Sequence, residues 1–234
     1  MSGGIDSCSV VVAYALDEVL GEPPDALHLV AWMGSAIAAG RDWALRSGRV
    51  GQLARGAAVA VTIPTASATL AWVATRAVRR SPVVAVLVTA ALLKPTFAVG
   101  ALRDAAFVVR DALDRDDLDA ARRALGSLCS RDATGLDAAS LTAATIESVA
   151  ENTSDSVVAP LFFFACFGLS GAVFYRAANT LDAMIGYHGR FEYAGKAAAR
   201  LDDLLNFVPA RITAALLLSF VGRGRPPAPP RFEL

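Results

Sequence analysis

The sequence predicts an all-α, multi-pass integral membrane protein with an amphipathic, polar helical region between its spans. Three observations predict it. Of 234 residues, 55% are hydrophobic and only 19% are charged, whereas a soluble domain carries about a quarter charged residues. Mean hydropathy is +0.46. Long runs without charge alternate with blocks in which the charges are concentrated, and a bilayer core of about 30 Å needs roughly 20 apolar residues as a helix.

In order, 5–20 reads as a short apolar helix interrupted at its end by Asp17 and Glu18. Gly21, Pro23 and Pro24 break it, and a loop carrying Arg41, Arg46, Arg49 and Arg55 is expected next. Gly56 to Thr75 contains no charged residue and forms a first span, with Pro64 inside it. Ser81 to Leu102 forms a second span with one blemish, Lys94-Pro95. Lys94 either snorkels to the surface or faces a polar cavity, and snorkelling is the simpler expectation.

From Arg103 to Arg131 the character changes. Leu118, Ala121, Leu125 and Leu128 recur at helical spacing, with Asp114 to Asp117, Arg122 and Arg123 on other faces. That pattern is an amphipathic, water-exposed helix. Asp132 to Asp137 supplies turn and cap signals.

Thr145 to Pro160, TIESVAENTSDSVVAP, places Glu147, Glu151 and Asp155 at spacings of four, on one face of a helix. No Lys or Arg occurs between Arg131 and Arg176 to neutralise them. Three readings stay open from spacing alone: a cap on the helix that follows, an Mg²⁺ site, or a general base raised by its like-charged neighbours. For Asp155 alone capping is the simpler reading.

Ser156 to Tyr175 is uncharged but broken by Gly168 and Gly171. A broken or re-entrant hairpin with its tip near Gly168 is expected, because Asp155 and Asn179 then emerge on one side. Arg176 to Asn206 is a second polar block, in which Asn179 and Asp182, and Arg200 and Asp203, stand three apart. Arg200 with Asp203 also reads as a plain intrahelical pair. Gly186, Gly189 and Gly195 mark a turn around Tyr187 to Tyr193, and Tyr175, Tyr187, Tyr193 and Trp72 fit an aromatic belt. A last span covers 207–222, begun by Pro209, and 223–234 is a proline-rich tail expected to be disordered. The organisation is thus one helical membrane domain over 1–222, with spans near 56–75, 81–102, 156–175 and 207–222, polar blocks at 103–155 and 176–206, and the tail.

Several classes are disfavoured. Net charge is zero and the basic residues are spread out, unlike a nucleic-acid binder. Cys8, Cys129 and Cys166 are isolated and read as reduced thiols. His28 and His188 are too few for an ordinary zinc site. There is no basic start of a signal peptide, no P-loop motif and no nucleophile elbow. Asn152-Thr153-Ser154 matches a glycosylation sequon, a weak pattern.

ESVAENTSDSVVAPLFF, then FYRAANTLDAMIGY, then GKAAARLDDLLNFVPARIT resemble the CobD/CbiB family of cobalamin biosynthesis, the adenosylcobinamide-phosphate synthases. LDEVLGEPPDALHLVAWMG and SLCSRDATGLD fit in the same order, from about Leu16 to Thr213. The resemblance implies a multi-pass protein of the bacterial inner membrane. It also implies an amide-forming ligase that joins adenosylcobyric acid to aminopropanol phosphate or aminopropanol, with ATP and Mg²⁺ and no prosthetic group. The lipid bilayer, pathway enzymes or further copies of the chain are the implied partners. By motif, Glu147, Glu151, Asn152 and Asp155 match the first signature, Asn179 and Asp182 the second, and Arg200, Asp202, Asp203 and Asn206 the third. Arg131 and Asp132 match the SRD element. On this reading Glu147, Glu151 and Asp155 position Mg²⁺ on ATP, and Glu147 and Glu151 belong with Asp182 to the catalytic set. Asp182 takes a proton from the amine, and Arg131 or Arg200 holds phosphate. Asp132, Asn152, Asn179, Asp202, Asp203 and Asn206 complete the substrate contacts. Leu27-His28-Leu29 departs from the family's His-Pro, and a shortened member is expected because the family continues past the PPAPP run.

Two other readings compete. One is a transporter or channel whose intramembrane polar groups line a pathway, which Lys94 beside Pro95 and the broken Ser156 to Tyr175 run would fit. The other is a non-catalytic family member. The acids cluster at the ends of apolar runs, which suits an interfacial active site better than a conduit.

Overall fold

The computed structural model describes residues 2–20, 29–130, 132–187 and 189–221. The Gly21–Pro24 break, His28, Arg131, His188 and the tail at 223–234 lie outside the described residues. Among those described there is no strand. The helices are α1 (Ser2–Leu20), α2 (Leu29–Leu45), α3 (Arg49–Val78), α4 (Pro82–Leu93), α5 (Val99–Asp114), α6 (Leu118–Leu125), α7 (Ala138–Thr153), α8 (Ala159–Ile185) and α9 (Lys196–Val221). A 3₁₀ turn, Lys94–Thr96, follows α4, and a π-turn, Ser154–Val158, joins α7 to α8. By length and composition four stretches can cross a membrane: Arg49–Val78, Pro82–Asp114, Ala138–Ile185 and Lys196–Phe220. The chain is an all-α, multi-pass membrane protein.

The expected arginine loop after residue 40 is instead mostly helix. α2 runs to Leu45 and α3 begins at Arg49. Met33 and Ile37 are buried on one face, as is Ala44, and the arginines occupy its polar side and the start of α3. Arg55 lies 4.9 Å above the Trp43 ring, so its cation rests on an aromatic face.

The second expected span is interrupted. α4 ends at Leu93, and Ala98 leaves helical geometry at φ −148°, ψ 70°. Pro95 lacks an N–H and clashes with the preceding turn, which is why a helix stops here. Lys94 does not snorkel. Its Nζ lies 3.5 Å from Asp17 Oδ1, with the two side chains 7% and 2% exposed. Asp17 Oδ2 accepts the Gly100 N–H at 2.9 Å, and Arg103 donates to both Glu18 oxygens. The end of α1 is therefore pinned to the break between α4 and α5.

Two cores result. The larger is built mainly from α1–α4 and α8 and includes Ile37, Leu93, Leu181 and Ile185. The smaller joins α5, α6 and α7 through Val109, Ala121, Leu125 and Leu141, so the amphipathic stripe read from 103–131 faces inward.

The run 156–175 reverses direction within α8. Gly168 has φ 66°, ψ −161°, a region that only glycine occupies without strain. Phe163 stacks on Tyr175 with centroids 5.2 Å apart, although the two are twelve residues apart, about 18 Å along a straight helix. A Cβ at Gly171 would collide with the Phe163 carbonyl, so the arms touch backbone to backbone. From Asp155 to the tip is about 20 Å by helical rise, short of a bilayer core of about 30 Å.

α9 is one helix from Lys196, with Pro209 inside it rather than at its start. A proline removes one hydrogen bond, a loss that packing and local adjustment tolerate in apolar helices.

Candidate functional site

α7 begins at Asp137, whose carboxylate accepts the Ser140 N–H at 2.8 Å. Hydrogen bonds from the Ser140 side chain and then its N–H hold the Asp137 carboxyl below the usual carboxylate range. Along α7, Glu147 and Glu151 lie on exposed positions while Leu141, Ala144 and Ser148 are buried. At Ser154 the helix widens into the π-turn, and the extra residue shifts the register. Asp155 consequently faces α8 and α9 instead of continuing the stripe. The turn is braced from outside, because the Ala98 N–H donates to the Ser156 carbonyl at 3.0 Å.

The hairpin of α8 returns Asn179 to Asp155. Asn179 Nδ2 lies 3.3 Å from Asp202 Oδ1 and 3.5 Å from Asp155 Oδ2. On α9, Asn206 Nδ2 donates to Asp202 Oδ2 at 2.8 Å. Asn206 Oδ1 in turn accepts from the buried Tyr175 hydroxyl at 2.7 Å. Asp155 is within electrostatic range of Asp202, Glu151 and Arg176.

In front of this network opens a cleft of about 490 Å³. Glu151, Ser154, Asp155, Asp202, Asp203 and Asn206 form its polar wall, and Phe207, Ala214 and Leu217 its apolar one. Ser154 is 6% exposed, and its hydroxyl has no hydrogen-bond partner among the described residues. Arg211 borders the cleft, with its Nη1 donating to the Phe207 carbonyl at 2.6 Å.

The structure thus brings together Glu151, Asp155, Asn179, Asp202, Asp203 and Asn206. Asp182 stands nearby, in electrostatic range of Asp202 and Asp203. Its Oδ1 is buried without a hydrogen-bond partner among the described residues, but Asp182 does not line the cleft. Arg200 makes the intrahelical pair with Asp203 at 3.7 Å, and both border a neighbouring hollow of about 300 Å³ that also holds Lys196.

Other expected site residues are elsewhere. Asn152 donates to the Leu128 and Ser148 carbonyls at 2.9 and 2.8 Å, tying α7 to the end of the α6 segment. Asp132 accepts the Thr134 N–H at 2.9 Å, and hydrogen bonds from the Thr134 side chain and then that N–H keep its carboxyl below the ordinary range. It shares a separate hollow with Arg122 and Arg123. Arg131 lies outside the described residues.

The three residues expected to hold Mg²⁺ are not all gathered at one place: Glu151 and Asp155 border the cleft and Glu147 does not. Among the described residues no three His, Cys, Asp or Glu side chains are grouped so as to hold one ion. Two members of the site were not identified as such from the sequence: Ser154 and Tyr175. Tyr175 read as a belt aromatic, although it precedes Asn179 by one helical turn. Asp17 was equally unassigned, although it and Lys94 are opposite charges within otherwise apolar runs.

The description of the CobD/Cbib protein family matches residues 10–227. The chain belongs to the CobD/Cbib family. Every residue of the cleft falls inside that span. Among curated CobD/Cbib relatives, a cobalamin biosynthesis protein CobD of Dehalococcoides mccartyi is 41% identical over 92% of this chain and 71% of its own length. A protein of the same name from Chromobacterium violaceum is 42% identical over 91% of this chain and 69% of its own. One from Stutzerimonas stutzeri is 41% identical over 93% and 70%. No solved structure matches this CobD/Cbib chain.

Proposed function

We propose that the chain works in cobalamin biosynthesis, at the cell membrane. Its reaction joins the side-chain carboxylate of adenosylcobyric acid to the amine of aminopropanol phosphate, or of aminopropanol, as an amide. A free carboxylate is a poor electrophile toward an amine, so the reading includes ATP as co-substrate. A carboxylate oxygen of the corrinoid attacks the γ-phosphorus and ADP leaves. The amine nitrogen then attacks the acyl carbon, phosphate leaves, and one proton is lost from nitrogen. Asp155 is the group proposed to take that proton, since it borders the cleft and Asp182 does not. We assign Mg²⁺ no residues of the chain.

The observation that carries the reading is the meeting of Glu151 and Asp155 with Asp202 and Asp203, from two helices, around one cleft backed by a fixed amide network. Family membership and the names of the relatives support the pathway. The transporter reading loses one of its two supports, because Lys94 pairs with Asp17 inside the protein.

The test is to incubate membranes containing the full chain with adenosylcobyric acid, MgATP and each amine in turn. Formation of the condensed corrinoid with stoichiometric ADP is expected. No condensed product with either amine would reject the reaction.

A further inference from the structure

An apolar groove runs between α2 and α3 on the far side of the bundle from the cleft, and we propose that it holds one acyl chain of an anionic phospholipid. The headgroup of that lipid sits at Arg76, Arg79 and Arg80.

Depth argues first. Near the start of α3, Gly56 packs so closely on the Ala194 carbonyl that a Cβ would collide with it. This end of α3 therefore belongs to the membrane face that carries the polar block 176–206. Ala74 lies about 27 Å further along α3 by helical rise, toward the opposite face. α8 turns back at Gly168, so it does not accompany α3 across. Where it stops, α2 and α3 border a groove of about 530 Å³, and Val173 is the one α8 residue that lines it. The groove follows α3 from Thr62 to Ala74, about 18 Å. That is close to the depth of one leaflet, half of a core of about 30 Å.

The wall selects an alkyl chain. Leu29, Trp32 and Met33 of α2 face Ile63, Leu70 and Ala71 of α3, and no charged side chain lines the groove. Thr62 spends its hydroxyl on the Ala58 carbonyl at 2.7 Å. Leu70 is 71% and Trp32 57% exposed, so the groove opens sideways, toward lipid. Its volume is in the range that takes a small molecule.

Charge at the end selects the headgroup. Arg76, Arg79 and Arg80 follow Ala74 within about two helical turns and are all exposed. Arg76 lies 5.3 Å above the Trp72 ring. Among the described residues none of the three has an ion pair. The arginines before Gly56 are better partnered: Arg41 pairs with Asp42, and Arg49 and Arg55 lie over aromatic rings. An anionic headgroup supplies the missing counter-charge, and Trp32 and Trp72 mark the depth at which headgroups lie.

The test uses the full chain in phosphatidylcholine vesicles. Of its three tryptophans, Trp43→Phe and Trp72→Phe leave Trp32, on the groove wall, as the reporter. Phosphatidylglycerol brominated in its acyl chains is titrated in, with identically brominated phosphatidylcholine as the control. Quenching of Trp32 by the anionic lipid is expected to saturate at low mole fraction, whereas the control rises only in proportion. Arg79→Gln with Arg80→Gln, at exposed positions, is expected to weaken the preference about fivefold per arginine, the worth of one basic residue at an anionic leaflet. Ala66→Phe fills the groove without touching the arginines and is expected to abolish the saturable part. Ser67→Leu, a smaller filling change, is expected to weaken it in part, which separates blocking from misfolding. Equal quenching by the two lipids, or saturable quenching that survives Ala66→Phe, would overturn the assignment. So would a dimer in which Trp32 is shielded from both lipids, since the groove would then belong to a second copy.

Discussion

The Tyr175 hydroxyl donates to Asn206 Oδ1 at 2.7 Å and thereby decides which way the Asn206 amide faces. With its oxygen engaged, Asn206 presents its NH₂ to Asp202. Tyr175 is fully buried and stacked on Phe163, so the hydroxyl is held by a ring that cannot move aside. One phenol on the hairpin thus orients a carboxylate on another helix.

Tyr175→Phe keeps the stack and removes only that donor. The amide loses its preferred orientation, and Asp202 loses a partner in a share of the molecules. A stability loss of about 1–2 kcal/mol is expected, the cost of leaving one buried acceptor unmet. The rate of amide formation is expected to fall by about tenfold or more, beyond what that destabilisation removes from the folded fraction. Thermal unfolding in detergent and product assays on the same sample check both; unchanged turnover would place Tyr175 outside the mechanism.

Lys94→Met leaves the Asp17 carboxylate buried without its cation. Breaking such a pair from one side costs about 3–5 kcal/mol, whereas replacing both partners with apolar residues is often close to neutral. The double variant Asp17→Leu with Lys94→Met is therefore expected to recover a large part of the loss. A double-mutant cycle in thermal unfolding measures the coupling, and strictly additive losses would mean that the two do not act as a pair.

Gly168→Ala forces a side chain into a backbone region that favours glycine. A cost of about 1–3 kcal/mol is expected, together with loosening of the Phe163–Tyr175 stack and of the Asn179 contact behind the cleft. Proteolysis or hydrogen exchange across the hairpin reports the loosening. Protection equal to that of the unsubstituted chain would contradict the tight turn.

Asp137 gives a pH signature at the other end of α7. Its carboxyl is held below the usual range by the Ser140 side chain and then by the Ser140 N–H. The sign follows: the cap's contribution is present above the unfolded value, near 4, and is lost as pH falls through the lowered folded value. Exchange of the Ser140 amide is expected to accelerate on acidification, relative to its intrinsic rate. Asp137→Ala is expected to show the accelerated rate already at neutral pH.

The legible parts of the sequence were those with a local physical signal. Uncharged length marked the spans, spacing marked the buried stripe of Ala121 and Leu125, and Gly168 marked the reversal because only glycine suits it. α2 was hidden because its arginines outweighed a face of small apolar residues. The stripe of Glu147, Glu151 and Asp155 was real in spacing but was divided by a π-turn, which has no sequence signature of its own. Asn152 read as a substrate contact because its polarity was visible and its partner, the Leu128 carbonyl, was not. The convergence of Asp155 with Asp202 depends on the hairpin bringing distant segments together, and spacing within one segment carries no record of that.

The bond from the Ala98 N–H to the Ser156 carbonyl gives the first helix a stake in a cleft it never touches. Asp17 steadies the broken helix, the broken helix steadies the widened turn, and the widened turn aims Asp155. Substitutions at Asp17 screened by function alone will therefore resemble lesions of the cleft itself.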